Sequence, residues 1–162
     1  MALFRVFITV RCVDLAAVRD EIASAELEDE VTYDELQRTC TVVIDDEHRF
    51  ASNRKRLAAK GIPYFGTYEK LGAKETAMAR FYSSGSGSEE ERDGIAGQFF
   101  VPIAEDGTVS SKDLGAFAYF LLGEMQARFI VNGAMPPDTR GCILGGTYEE
   151  DAESFTQPTA AR

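Results

Sequence analysis

The stretch from Ser110 onward constrains the fold more than any other part of the chain. Ser110 and Asp113 form a capping-box-like pair, with Asp in place of Glu, and predict a helix over residues 111–131. Leu114, Phe117, Leu121, Met125 and Phe129 recur at helical spacing and line one face of it. Ala116, Tyr119, Phe120, Leu122 and Ala127 make much of the remaining circumference apolar or small as well. A helix with so little polar surface is either central in a fold or covered by a second partner. Gly115, Ala116, Gly123 and Ala127 would let another backbone approach closely, despite the low helix propensity of glycine. Ala116, Tyr119, Phe120, Gly123 and Ala127 are therefore the interface candidates.

The rest of the chain reads as strands that such a helix can cover. Residues 3–12 are rich in Phe, Val and Ile, and Thr39 to Ile44 is β-branched, so both read as strands. Between them, Asp14 is a plausible N-cap for a helix over residues 15–26, with Leu15, Val18, Ile22 and Ala25 on one face. The run Glu26-Leu27-Glu28-Asp29-Glu30 is too charged to bury and reads as a loop. A third helix is predicted over residues 47–60, closed by Gly61 and Pro63. Residues 62–69 and 75–83 read as strands joined by a hairpin through Gly72. Gln98 to Ile103 reads as a further strand, and Cys142-Ile143-Leu144 as the start of a last one.

The Ser/Gly run Ser83-Ser84-Gly85-Ser86-Gly87-Ser88, followed by Glu89-Glu90-Glu91, predicts a flexible insertion near residues 83–95. Residues 1–148 then form a single domain, and residues 149–162 a polar C-terminal tail. The expected fold class is α+β: a mixed, mostly antiparallel sheet with about three helices packed on it, ferredoxin-like in part. Gly61 to Glu69 and Gly141 to Glu149 both read G-x-x-x-x-G-T-Y-E, but their flanks do not align, so coincidence or a shared strand-edge turn explains the echo better than a duplication.

Composition narrows the compartment more than the function. A content of 44% hydrophobic residues with 11 Phe supplies a core for 162 residues without staples. Cys12, Cys40 and Cys142 are odd in number and widely spaced, which fits a reducing, cytoplasmic setting rather than a disulfide scaffold, or a virion if the chain is phage-derived. The N-terminal apolar segment is short and lacks a basic leader, so neither a signal peptide nor a membrane span is expected. A net charge of −10 makes direct binding of nucleic acid an unfavourable expectation.

Constellations for chemistry are sparse. Asp45-Asp46-Glu47 after a strand resembles a Mg²⁺ site, but no partner carboxylate or phosphate loop stands at a defined spacing, and helix capping is the simpler role. Cys40 with His48, the single histidine, carries no nucleophile signature, and a mid-strand cysteine is more simply a small core residue. No catalytic residue, metal or cofactor is expected.

The distinctive charge feature is local. Residues 48–60 hold five basic residues and no acid, beside an acidic segment over residues 26–47. Arg49, Asn53, Arg56 and Lys60 fall on one helical face and could grip a phosphate or an acidic partner. Tyr64 and Tyr68 could add aromatic surface to that grip.

Together these readings favour a non-catalytic protein-interaction or assembly protein. It would self-associate or bind a protein partner, as a structural component of a phage or bacterium does. One alternative is a small-ligand or phosphate-binding protein, or an enzyme, using the helix start within residues 45–60. Another is an acidic inhibitor that mimics nucleic acid.

Overall fold

A computed structural model describes residues 2–27, 29–72, 77–95, 104–108 and 110–133. The elements run β1 (Phe4–Arg11), α1 (Leu15–Ala25), β2 (Asp29–Asp34), β3 (Thr39–Asp46), α2 (Ala51–Ala59), β4 (Pro63–Lys70), β5 (Ala77–Ser84), β6 (Glu90–Ile95) and α3 (Ser111–Asn132), with a single 3-10 turn at Cys12–Asp14. The strands form one sheet in the order β2-β3-β1-β4-β5-β6. Every neighbouring pair is antiparallel. The first six elements follow the β-α-β-β-α-β order of split βαβ units. The expected α+β class with three helices holds, and among the described residues the sheet is wholly antiparallel.

Strand alternation divides the molecule into two layers of packing. Val6, Ile8 and Val10 of β1, Val42 and Ile44 of β3, Tyr64 and Tyr68 of β4, and Ala79 and Phe81 of β5 point to one face. There they meet Val18 and Ile22 of α1 and Leu57 and Ala58 of α2 in a continuous core. The opposite face carries Phe65 and Tyr82, packed against Phe120 and Ala127 of α3. The core layer is tight enough that β4 needs a glycine at its centre. A Cβ on Gly66 would lie 2.0 Å from the Phe7 carbonyl oxygen and 2.7 Å from the Phe81 ring.

Several boundaries differ from the sequence reading. The acidic run expected to be a loop contributes Asp29 and Glu30 to β2. This strand lies at the edge of the sheet, where Glu30 stays in water, Asp29 pairs with Arg19 at 3.3 Å and Val31 packs on the core. The insertion expected near residues 83–95 is a loop only around Gly85 and Gly87, which take the turn at φ +88° and +99°. Glu90 to Ile95 then pair with β5 as a strand. Helix α2 begins at Ala51 rather than near residue 47, because Arg49 and Phe50 adopt left-handed backbone angles. The helix N-cap expected of this carboxylate pair is not formed: Asp46 Oδ2 accepts a hydrogen bond from the Phe50 amide, in the turn that leads into α2, and Asp45 pairs with Arg5. At the other end Gly61, at φ +76°, closes α2, and the Ile62 amide reaches the Leu57 carbonyl at 3.2 Å. The strands expected at residues 98–103 and 142–144, the tail and the second copy of the G-T-Y-E echo lie outside the described residues.

Candidate functional site

The basic face of α2 is engaged internally. Arg56 Nε donates to Glu21 Oε1 at 2.6 Å, and Lys60 Nζ donates to Glu21 Oε2 at 2.7 Å. The Asn53 side-chain amide donates to the Glu21 carbonyl at 2.9 Å. Three of the four residues read as a stripe thus converge on Glu21 of α1, two on its buried carboxylate and one on its backbone carbonyl, and fasten α1 to α2. The Lys60 hydrogen bond is the largest influence on Glu21 and, with Arg56, holds its pKa below the ordinary value against the cost of burial.

Arg49, the fourth, precedes the helix. Its guanidinium lies 4.9 Å from the ring centroids of both Phe4 and Tyr68 and donates to the Tyr68 hydroxyl at 2.7 Å. Tyr64 and Tyr68 are buried core residues rather than exposed stacking surface. Tyr64 donates from its hydroxyl within a buried cluster, 2.8 Å from both Glu89 Oε2 and the Arg54 carbonyl. His48 is exposed, and Cys40 is buried, its thiol pushed up to about 11 by burial first and by nearby Cys12 second.

The residue that organises this region is Arg54, which helical spacing did not single out. Its side chain is 2% exposed. Its Nε and one terminal nitrogen grip Glu89 in a fork at 2.8 and 2.9 Å, and that terminal nitrogen also reaches Glu91 at 2.7 Å. Its remaining terminal nitrogen donates to the Arg49 carbonyl, which secures the left-handed turn before α2. The guanidinium also lies 4.1 Å from the Phe81 ring centroid. Burial works against the charge, and Glu89 and Glu91 outweigh it. Only tertiary placement could reveal this, since the partners lie 35 and 37 residues away.

Helix α3 meets the sheet through a second such centre. Arg80 donates through two nitrogens to the two carboxylate oxygens of Glu124, one at 2.9 Å. Arg128 adds a bond to Glu124 at 2.8 Å and stacks 4.2 Å from the Phe65 centroid. The sheet-facing side is thus Phe120, Glu124, Ala127 and Val131. Leu114 and Met125, read as one apolar face with Leu121 and Phe129, are exposed instead, and Leu121 and Phe129 are half-buried. A buried glutamate with an arginine partner defines the inner face here, and an apolarity pattern does not register it. Of the interface candidates, Phe120 and Ala127 are buried against the sheet, Gly123 is half-buried, and Ala116 and Tyr119 are exposed.

Among the described residues, no group of three or more His, Cys, Asp or Glu is arranged to hold a metal ion. An open recess of about 540 Å³ lies beside Arg5, Glu26, Asp29, Glu30 and Asp45. Two of its charges are spent on each other, in the Arg5–Asp45 fork at 2.8 and 3.0 Å. Comparison of the chain with protein-family models, curated proteins and solved structures returns no match.

Proposed function

We propose that this chain is a non-catalytic interaction protein that associates with a second copy of itself through the outer face of α3. The observation that carries the reading is the make-up of that face. Leu114, Ala118, Leu121, Leu122, Met125 and Phe129 follow one another along the side turned from the sheet, and none is buried. No charged residue stands between Asp113 and Glu124, and Glu124 faces inward. Leu114 and Met125 are exposed and the other four half-buried, and contiguous apolar surface left in water in this way is costly unless something covers it. A role as an assembly component, of a phage or otherwise, rests on the same face.

A phosphate or ligand grip at the start of α2 draws less support, because Arg54, Arg56 and Lys60 already hold carboxylates. Mimicry of nucleic acid draws only on the net charge of −10, and the basic helix counts against it. One observation favours a different cover: α3 is long and apolar enough, with a mean hydropathy of 1.2, to cross a membrane. The Arg80–Glu124–Arg128 cluster favours a helix docked on its own sheet.

Sedimentation over a wide range of protein concentration tests the reading. The expected result is a mass that rises towards a dimer in wild type and stays monomeric in Leu114→Glu/Met125→Glu, with the melting temperature unchanged. A wild-type chain that is monomeric at every concentration removes the reading. Flotation of the wild type with lipid vesicles, abolished in the same variant, would move the face to a membrane.

A further inference from the structure

Tyr82 occupies an unusual position between β5 and α3. The residue is 6% exposed, and its ring packs edge-on against Phe120 with centroids 5.2 Å apart. Helix α3 carries a glycine where the phenol meets it. A Cβ on Gly123 would lie 1.9 Å from the Tyr82 hydroxyl oxygen and 2.5 Å from Cζ. Glycine is unfavourable within a helix, so the notch has a cost, and what it admits is a hydroxyl. Among the described residues that hydroxyl has no hydrogen-bond partner, although its oxygen is not fully enclosed, and a phenol on so buried a ring normally finds one.

Tyr82 lines two adjoining recesses of about 300 Å³ each, one towards Ser84, Ser88 and Gln126, the other towards Arg92 and Phe120. Tyr119 and Glu90 line both. Glu90 stands directly opposite Tyr82 in the β5–β6 register and forms no ion pair among the described residues. No cation lines the first recess, and Arg92 in the second lies over the Phe117 ring at 5.2 Å. The charge lining the first recess is therefore negative and comes from Glu90, since Glu124 behind it is held by Arg80 and Arg128.

We propose that the first recess binds an organic cation, a primary ammonium or guanidinium group. Glu90 supplies the counter-charge, the Tyr82 hydroxyl oxygen accepts a hydrogen bond, and the exposed Tyr119 ring offers its face. An anionic ligand in the first recess would meet Glu90 with no cation in the lining to offset it. The recess suits the end of a diamine or a lysine or arginine side chain. The overall charge of −10 raises the local concentration of such cations.

The test is an NMR titration of the full chain with 1,5-diaminopentane and, separately, with Nα-acetyl-lysine amide. The neutral 1,5-pentanediol serves as control. Saturable shifts at β5, β6 and α3 are expected for at least one amine and not for the diol. Binding of the lysine amide alone would assign the site to a protein partner's side chain. Glu90→Gln should weaken binding about tenfold or more. Tyr82→Phe, which keeps the ring, should weaken it several-fold while the fold's spectrum is retained. Failure of both amines to saturate, equal binding of the diol, or unchanged affinity in either variant would overturn the site. Leu114→Glu/Met125→Glu should keep amine binding whether or not it loses association, which separates this site from the proposed dimer.

Discussion

At the scale of single residues, Arg54 carries the largest consequence. Its removal would strand Glu89, whose side chain is 6% exposed, without its counter-charge. Breaking a buried pair from one side costs about 3–5 kcal/mol, whereas an apolar replacement of both partners is often close to neutral. Arg54→Ala should therefore lose stability on that scale in urea unfolding, and Arg54→Met/Glu89→Leu should recover much of the loss. The Arg49 and Phe50 turn depends on the same guanidinium, so the single variant should also raise amide exchange at residues 49–51. The cysteines separate by environment as well. Cys12 is exposed, while the Cys40 thiol is buried and shifted up to about 11. A thiol reagent near neutral pH should modify Cys12 rapidly and Cys40 only as fast as the fold opens, read by mass spectrometry of peptides.

At the scale of elements, the end of α3 and the middle of β4 make contrasting predictions. Ser110 accepts a hydrogen bond from the Asp113 amide at 3.3 Å, so Ser110→Ala should cost about 1 kcal/mol, as loss of an N-cap does. Ser110→Gly should cost less, since glycine is tolerated at this position. Gly66→Ala should be far more damaging. Its methyl would press on the Phe7 carbonyl, and neighbouring backbone cannot swing aside as a flexible side chain can. Comparison of the two midpoints in urea checks the order.

Much of this layout is legible in the sequence because the signals are local. The β-branched alternation of Val6, Ile8 and Val10, the Gly61 stop and the Ser110 cap each report on their own neighbourhood. The β2 and β6 strands escape such reading, since edge strands tolerate the carboxylates that argue against burial. The candidate site was less legible for a related reason. Arg56 and Lys60 look like a free basic stripe until Glu21, 35 and 39 residues away, is folded against them. Glu124 similarly turns what reads as the back of α3 into its inner face.

For the whole molecule, Glu21 links packing to pH. Its pKa is held below the ordinary value of 4.5, first by Lys60 and then by Arg56. A carboxylate with a depressed folded pKa contributes stability that is complete above its unfolded value and is lost as pH falls through the folded one. The α1–α2 layer should thus loosen as pH drops below about 4.5. Urea midpoints measured down through this range should fall more steeply in wild type than in Glu21→Gln, which has already lost the charge.

The ends of the described sheet are alike in composition. Asp29, Glu30 and Asp34 belong to β2, and Glu90 and Glu91 to β6. A sheet with open hydrogen-bonding edges can in principle add further copies without limit. Bringing either edge against either edge of another molecule would set carboxylate rows side by side. Growth along the sheet is thereby discouraged, while the uncharged back of α3 carries no such barrier. Contact through that back uses the same patch on both copies, and one two-fold contact exhausts it. The expected end state is a finite, closed pair rather than a fibre.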